Sequence, residues 1–236
     1  MRPFEALLAS ATFVIAGLLP AAPEEPAHVT FSPPPPGSAV QSQLVYLNGE
    51  AMHGQWRAVA SKRLVGSANG NSFYQWYLSI YAIDEATYRL KFQSPANGGP
   101  LSVVTQANGA KLWFPVQQLR IVGAAELMQP ATQQLVVQSH EMAADCGAST
   151  VAVLTSNAAG QVVPAVSVRN GCELNASIVH GSNGDAIALS GPYYGRNAPL
   201  CCPTKPRASA TLRYADGKWS VRPSYFSLYA GKFPPN

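Results

Sequence analysis

From about Val40 onward the chain alternates short apolar and β-branched runs with clusters of Gly, Asn, Asp and Pro. The segment 73–82 sets the pattern. Tyr74, Trp76, Leu78 and Ile80 fall on one side of an extended strand, while Phe73, Tyr77 and Tyr81 share the other with Gln75 and Ser79. That is the period of two expected of a strand. The same reading predicts strands at 43–47, 55–60, 87–93, 101–105, 111–114, 117–123, 132–139, 149–155, 161–168, 172–180, 185–191, 207–214 and 218–222. Turn residues punctuate them: Asn97-Gly98-Gly99-Pro100, Asn108-Gly109, Asn170-Gly171, Asn183-Gly184-Asp185 and Asp216-Gly217. The pairs at 108–109, 170–171 and 216–217 are the strongest, because Asn or Asp followed by Gly accepts the positive φ angles of a type I′ hairpin turn.

Turn signals spaced roughly 8–14 residues apart predict an all-β protein, an antiparallel sandwich or a barrel-like sheet. Only 123–129 (Gly-Ala-Ala-Glu-Leu-Met-Gln) reads as helical, stopped by Pro130. A boundary placed there gives an N-terminal β-domain, 40–128, with three of the four Trp and no Cys. It also gives a C-terminal β-domain, 131–229, with all four Cys. These form either one large β-domain or two packed ones. The two parts share strand density but no residue repeat.

The chain opens differently. Arg2 precedes an uncharged apolar run of 14 residues, Ala6 to Leu19. That is too short to span a bilayer and suits the apolar core of a secretory signal. We expect a signal peptide at 1–22, a mature start between Ala22 and His28, and a secreted or periplasmic product. Residues 23–39, with the run Pro33–Pro36, read as a Pro-rich tether. No Cys ends the apolar run, so an N-terminal lipid anchor has nothing to attach to. No later run approaches membrane-spanning length, so the mature chain is expected to carry no transmembrane span.

Composition narrows the reading. Apolar residues are 47% of 236, enough for a core, and exclude global disorder. Charged residues are only 12%, about half the usual share; such a surface is covered by Ser, Thr, Asn, Gln and Gly. The net charge is +4, and the sixteen Lys and Arg never occur more than two in a row (Lys62-Arg63). With no basic stripe along the sequence, nucleic acid is not expected as a partner.

Cys146, Cys172, Cys201 and Cys202 are an even count in a chain read as exported, which favours disulfides. Neither Cys-x-x-Cys metal spacing nor a redox motif is present. Neighbours in an extended segment face opposite ways, and Pro203 biases Cys202 toward extension. Cys201 and Cys202 should therefore take separate partners, one Cys146 and the other Cys172; which takes which stays open. Each bond would be worth roughly 3–4 kcal/mol in the loop-entropy model.

Catalytic signals are sparse. His140-Glu141 with Asp145 is the densest polar cluster, but it lacks the His-Glu-x-x-His spacing, and a solvated loop before Cys146 explains it better. Ser149 and Ser190 lack a nucleophile-elbow context. Asp145, Glu173 and Asp185 would be the carboxylates of a glycosidase-like pair, a separation that spacing cannot supply. No Gly-rich phosphate loop follows a strand, and no cofactor or metal is called for. Asn175-Ala176-Ser177 matches a glycosylation acceptor, read as chance in a bacterial-looking chain. Among the aromatics, Trp76 and Trp113 belong in the core. Tyr193 and Tyr194, between Gly191-Pro192 and Gly195, are the candidates for a ligand-binding platform.

The segment Tyr193-Tyr-Gly-Arg-Asn-Ala-Pro-Leu-Cys-Cys-Pro-Thr204, followed by Ala210-Thr-Leu-Arg-Tyr-Ala-Asp-Gly-Lys-Trp219, resembles the C-terminal motif of the LppP/LprE-type bacterial lipoproteins. Cys201, Cys202 and Pro203 match, Thr204 replaces the usual Ser, and the lipobox Cys is absent. The resemblance covers at most the last third of the chain. It implies an exported, Cys-paired, β-rich protein and supplies no activity. The expectation is therefore a non-enzymatic binding module at the cell envelope, for an envelope component, a saccharide or a peptide. The alternatives are an exported hydrolase and a structural envelope component. The hydrolase reading requires two or more of His140, Glu141, Asp145, Glu173 and Asp185 to converge in one pocket.

Overall fold

Strands that follow one another through short turns pair with their chain neighbours, and here they build three antiparallel meanders. A computed structural model describes residues 29–47, 55–68, 71–94, 102–105, 111–114, 116–129, 132–141, 147–182, 184–195 and 203–230. The first sheet takes β1 (Thr30–Ser32), β2 (Ser38–Tyr46), β3 (Gln55–Ala68), β4 (Asn71–Asp84) and β5 (Thr87–Gln93), in the order β1-β5-β4-β3-β2. A separate hairpin pairs β6 (Ser102–Thr105) with β7 (Lys111–Phe114). The second sheet runs β8 (Val116–Gln129), β9 (Thr132–Glu141), β10 (Ser149–Ser156) and β11 (Val162–Asn170). The chain then leaves to form a third sheet from β12 (Asn175–Val179), β13 (Ala186–Tyr193), β14 (Lys205–Ala215) and β15 (Lys218–Arg222). It returns as β16 (Ser227–Ala230), which pairs with β11 at the edge of the second sheet. The fold is all-β, a packed set of sheets with no closed barrel and no helix among the described residues.

The second sheet is the middle layer. In β9, Leu135 and Val137 join a core with Trp56, Trp76, Leu78 and Ile80 of the first sheet. Val136 between them points the other way, into a core with Ile187, Leu189 and Leu212 of the third. β10 repeats this: Ala152 and Leu154 face the first sheet, Val151 and Val153 the third. Burial on both faces is why these strands are unbroken apolar runs rather than alternations. Side-chain amides knit the layers together. Gln41 of β2 both donates to and accepts from the backbone of Ile121 in β8 (2.6 and 2.8 Å), so it acts like a strand neighbour on that edge.

Three expectations are corrected. Residues 123–129 are strand, not helix: β8 pairs along β9 as far as Gln129 opposite Thr132, and Ala125 and Leu127 are buried in the second core. Pairing and burial override the helical propensity of Ala, Glu, Leu and Met. The 128/131 division thus falls between two strands that pair with each other. The tether is not wholly outside the fold, since β1 lies parallel to β5 and Phe31 packs on Tyr81 and Tyr88 at 4.8 and 5.2 Å. Residues 1–28 lie outside the described residues. Finally, Asn170-Gly171 is not a hairpin turn but the crossover from the second sheet to the third. Asp216-Gly217 is the expected hairpin turn, with both φ angles positive (51° and 74°).

Candidate functional site

The third sheet has one face in the core and one in solvent. Ala208, Ala210 and Leu212 of β14 are buried, while Arg207, Ser209, Thr211 and Arg213 between them are exposed. Cross-strand register carries that outward row over the whole sheet. Asn175 pairs with Ser190, Ser190 with Ser209, Ser177 with Ala188, Ala188 with Thr211, and Thr211 with Arg222. The outward side is thus a floor of small hydroxyl, amide and methyl groups. An open cavity of about 400 Å³ lies on it. Arg120 stands at the β12 side and Arg222 at the β15 side. Arg120 is held in place by donating to Gln138 Oε1 (2.8 Å) and to the Ala176 carbonyl (3.2 Å).

The four strands carry Lys205, Arg207, Arg213, Lys218 and Arg222 and no Asp or Glu. Lys205 turns to Tyr225, donating to its hydroxyl at 2.6 Å and lying 4.6 Å from its ring centre. Arg207, Arg213, Lys218 and Arg222 are exposed on the outward row. Among the described residues the ion pairs are formed elsewhere, between Arg89 and Asp84, Arg169 and Glu141, and His180 and Asp185. The basic patch is invisible along the sequence because the pleat spaces its members two or more residues apart.

Three of the residues expected to carry chemistry, His140, Glu141 and Asp185, take structural roles apart from one another. His140 Nδ1 is 2.8 Å from Ser149 Oγ, its cross-strand partner, and Ser149 is buried. Glu141 pairs with Arg169 at 3.2 Å. Asp185 accepts from the Glu126 backbone N–H (3.0 Å) and lies 2.8 Å from His180 Nδ1, tying the β12–β13 connection to β8. None of His140, Glu141, Glu173 and Asp185 lines the cavity, and Asp145 lies outside the described residues. No group of three or more His, Cys, Asp or Glu among the described residues is placed to hold a metal.

Tyr193 and Tyr194 are both half-buried and part company. Tyr193 tilts against Tyr225 at 4.9 Å on the second core, and Tyr194 Oη sits 3.0 Å from Sγ of the buried Cys172. Beyond Tyr194, the Gly195 N–H donates to Thr204 Oγ1 (2.9 Å), closing the ends of the segment that contains Cys201 and Cys202. Those two residues and Cys146 lie outside the described residues. Beneath this corner Asn170 Nδ2 donates to the carbonyls of Glu173 and Pro192 (3.0 and 2.9 Å). Gly191 is required there, because a Cβ would come within 2.3 Å of the Glu173 carbonyl.

No family model matches the sequence, and no curated protein matches it. Among the described residues no helix is long and apolar enough to cross a membrane.

Proposed function

We propose that this protein is an exported, non-enzymatic binding module of the cell envelope, and that its ligand lies on the outward face of the third sheet. The observation that carries this reading is the contrast within one molecule. His140, Glu141 and Asp185, polar residues suited to catalysis, are each engaged in a pair within the fold, whereas a hydroxyl-lined cavity between Arg120 and Arg222 stays open. The signal-like start and the resemblance of Tyr193–Thr204 to the LppP/LprE-type motif support the envelope location. The test is co-sedimentation of the mature protein with envelope material of its host. Ser209→Phe, at an exposed floor position, is expected to abolish retention without lowering the melting temperature; full retention would overturn the site. Mass spectrometry is expected to find a mature start between Ala22 and His28, and an intact Met1 in a cytoplasmic fraction would overturn export.

Two disulfides belong to the same reading, with Cys201 and Cys202 bonded separately to Cys146 and Cys172. Their support comes from the described residues that precede or follow the cysteines in the chain. Ser149 pairs with Asn170, so β10 begins and β11 ends at one end of the sheet, and Tyr194 lies beside Cys172 there. Non-reducing peptide mapping checks this; a Cys146–Cys172 bond would overturn it.

A further inference from the structure

We infer that the ligand of this face is a linear polyanionic glycan, a saccharide chain carrying spaced carboxylate or phosphate groups; this rests on the binding-face reading above. Three observations lead to it. The outward row of β14 and β15 presents Arg207, Arg213, Lys218 and Arg222, with no carboxylate anywhere on the four strands. Strands that present cations and no carboxylate of their own raise the local concentration of a polyanion. Guanidinium groups engage carboxylate or phosphate by paired N–H donors, a geometry an ammonium does not reproduce.

Next, the span suits a chain rather than an ion. Arg120 and Arg222 bracket a floor four strands wide, three inter-strand spacings or about 14 Å. Between them lie Asn175, Ser177, Ser190, Ser209 and Thr211, which offer both donors and acceptors. That set matches the mixed donor–acceptor hydroxyls of sugar rings lying between the charged groups.

The face also lacks what other polyanions require. The sheet's aromatic residues Tyr193 and Trp219 pack against the inner core, and Tyr214 lies against Trp219 at 5.2 Å. That leaves no outward ring on which a nucleic-acid base would stack. Apart from Val179 the outward row has no large apolar side chain to enter a bilayer, so an anionic membrane is the poorer fit.

The experiment measures binding of the mature protein to polygalacturonate, with neutral dextran, duplex DNA and phosphatidylglycerol vesicles as comparisons, at 50 and 200 mM salt. Polygalacturonate is expected to bind with an affinity that falls at least tenfold between those salt concentrations. Arg213→Gln with Arg222→Gln should weaken it at least tenfold, and Arg213→Lys with Arg222→Lys should restore only part. Arg63→Gln with Lys91→Gln, which removes equal charge from the first sheet, should leave affinity within twofold. Equal weakening by both pairs would overturn the site-specific claim in favour of net charge. DNA or vesicles bound as tightly, with the same arginine dependence, would overturn the glycan assignment, as would dextran bound without salt dependence. If no probe binds while host envelope material is still retained and Ser209→Phe abolishes that, the ligand class falls and the binding face stands. If neither binds, both fall. The arginine variants are at exposed positions, and melting temperatures report that each remains folded.

Discussion

The two outer faces of the layered stack are built from the same kind of alternating strand and end in opposite states. On the first sheet the outward positions are roofed. Val59, Tyr81 and Tyr88 are at most 1% exposed, and Val29, Phe31, Ile83 and Leu90 pack onto them. On the third sheet the corresponding positions are Ser, Thr, Asn, Ala and Arg, and stay open. Alternation therefore decides only that a strand has two faces. Side-chain size and chain return decide whether the second face becomes core or surface. The roofed face also retains a flaw: Ser61 Oγ, Ser79 Oγ and Tyr81 Oη are buried without a well-formed hydrogen bond. Burial pushes the Tyr81 phenol above its ordinary value, and the nearby Ser79 hydroxyl eases this only in part.

Substitutions can break that comparison. Tyr88→Ala, on the roofed face, should cost about 3–5 kcal/mol in urea unfolding by leaving a cavity under Phe31. A cost near zero would mean the roof is not core. Gly191→Ala should cost about 1–3 kcal/mol, because the added methyl meets the Glu173 carbonyl where the crossover passes over β13. A shift confined to the third sheet in hydrogen exchange would locate the damage.

Tyr81→Phe should be neutral or stabilising by about 1 kcal/mol at pH 7, since it removes a poorly satisfied hydroxyl. Its effect should grow in alkali. The folded protein holds the Tyr81 proton more tightly than the unfolded chain, so that contribution is complete below pH 10.0 and is lost as pH rises through the folded value. Denaturation profiles from pH 9 to 11 should therefore be flatter for the Phe variant than for the wild type, and parallel profiles would contradict the burial. Thr211→Ala, on the open face, should change stability by less than about 0.5 kcal/mol. A larger loss would show that the open floor is structural.

Most strands were legible because their apolar residues recur every second position. β5 and β15 match the expected spans 87–93 and 218–222, and the Asp216-Gly217 turn needed nothing beyond its two residues. β8 was misread at 123–129, since Ala, Glu, Leu and Met favour a helix until β9 supplies a pairing edge. The proposed binding face is illegible along the sequence for a related reason. Its arginines are scattered along the sequence and converge only across the register of β14 and β15. The sequence did point to Tyr193 and Tyr194, but their half-buried contacts with Tyr225 and Cys172 join residues 22 or more positions apart, which local pattern does not pair.

By itself the sequence determined the all-β class, most of the strand positions and the apolar runs of the middle sheet, because these depend on local alternation and short turns. Tertiary structure alone decided which faces are roofed, that 29–32 joins the first sheet, and which cations share a surface. Those outcomes depend on pairings between residues far apart in the chain, and no local pattern encodes a partner's identity.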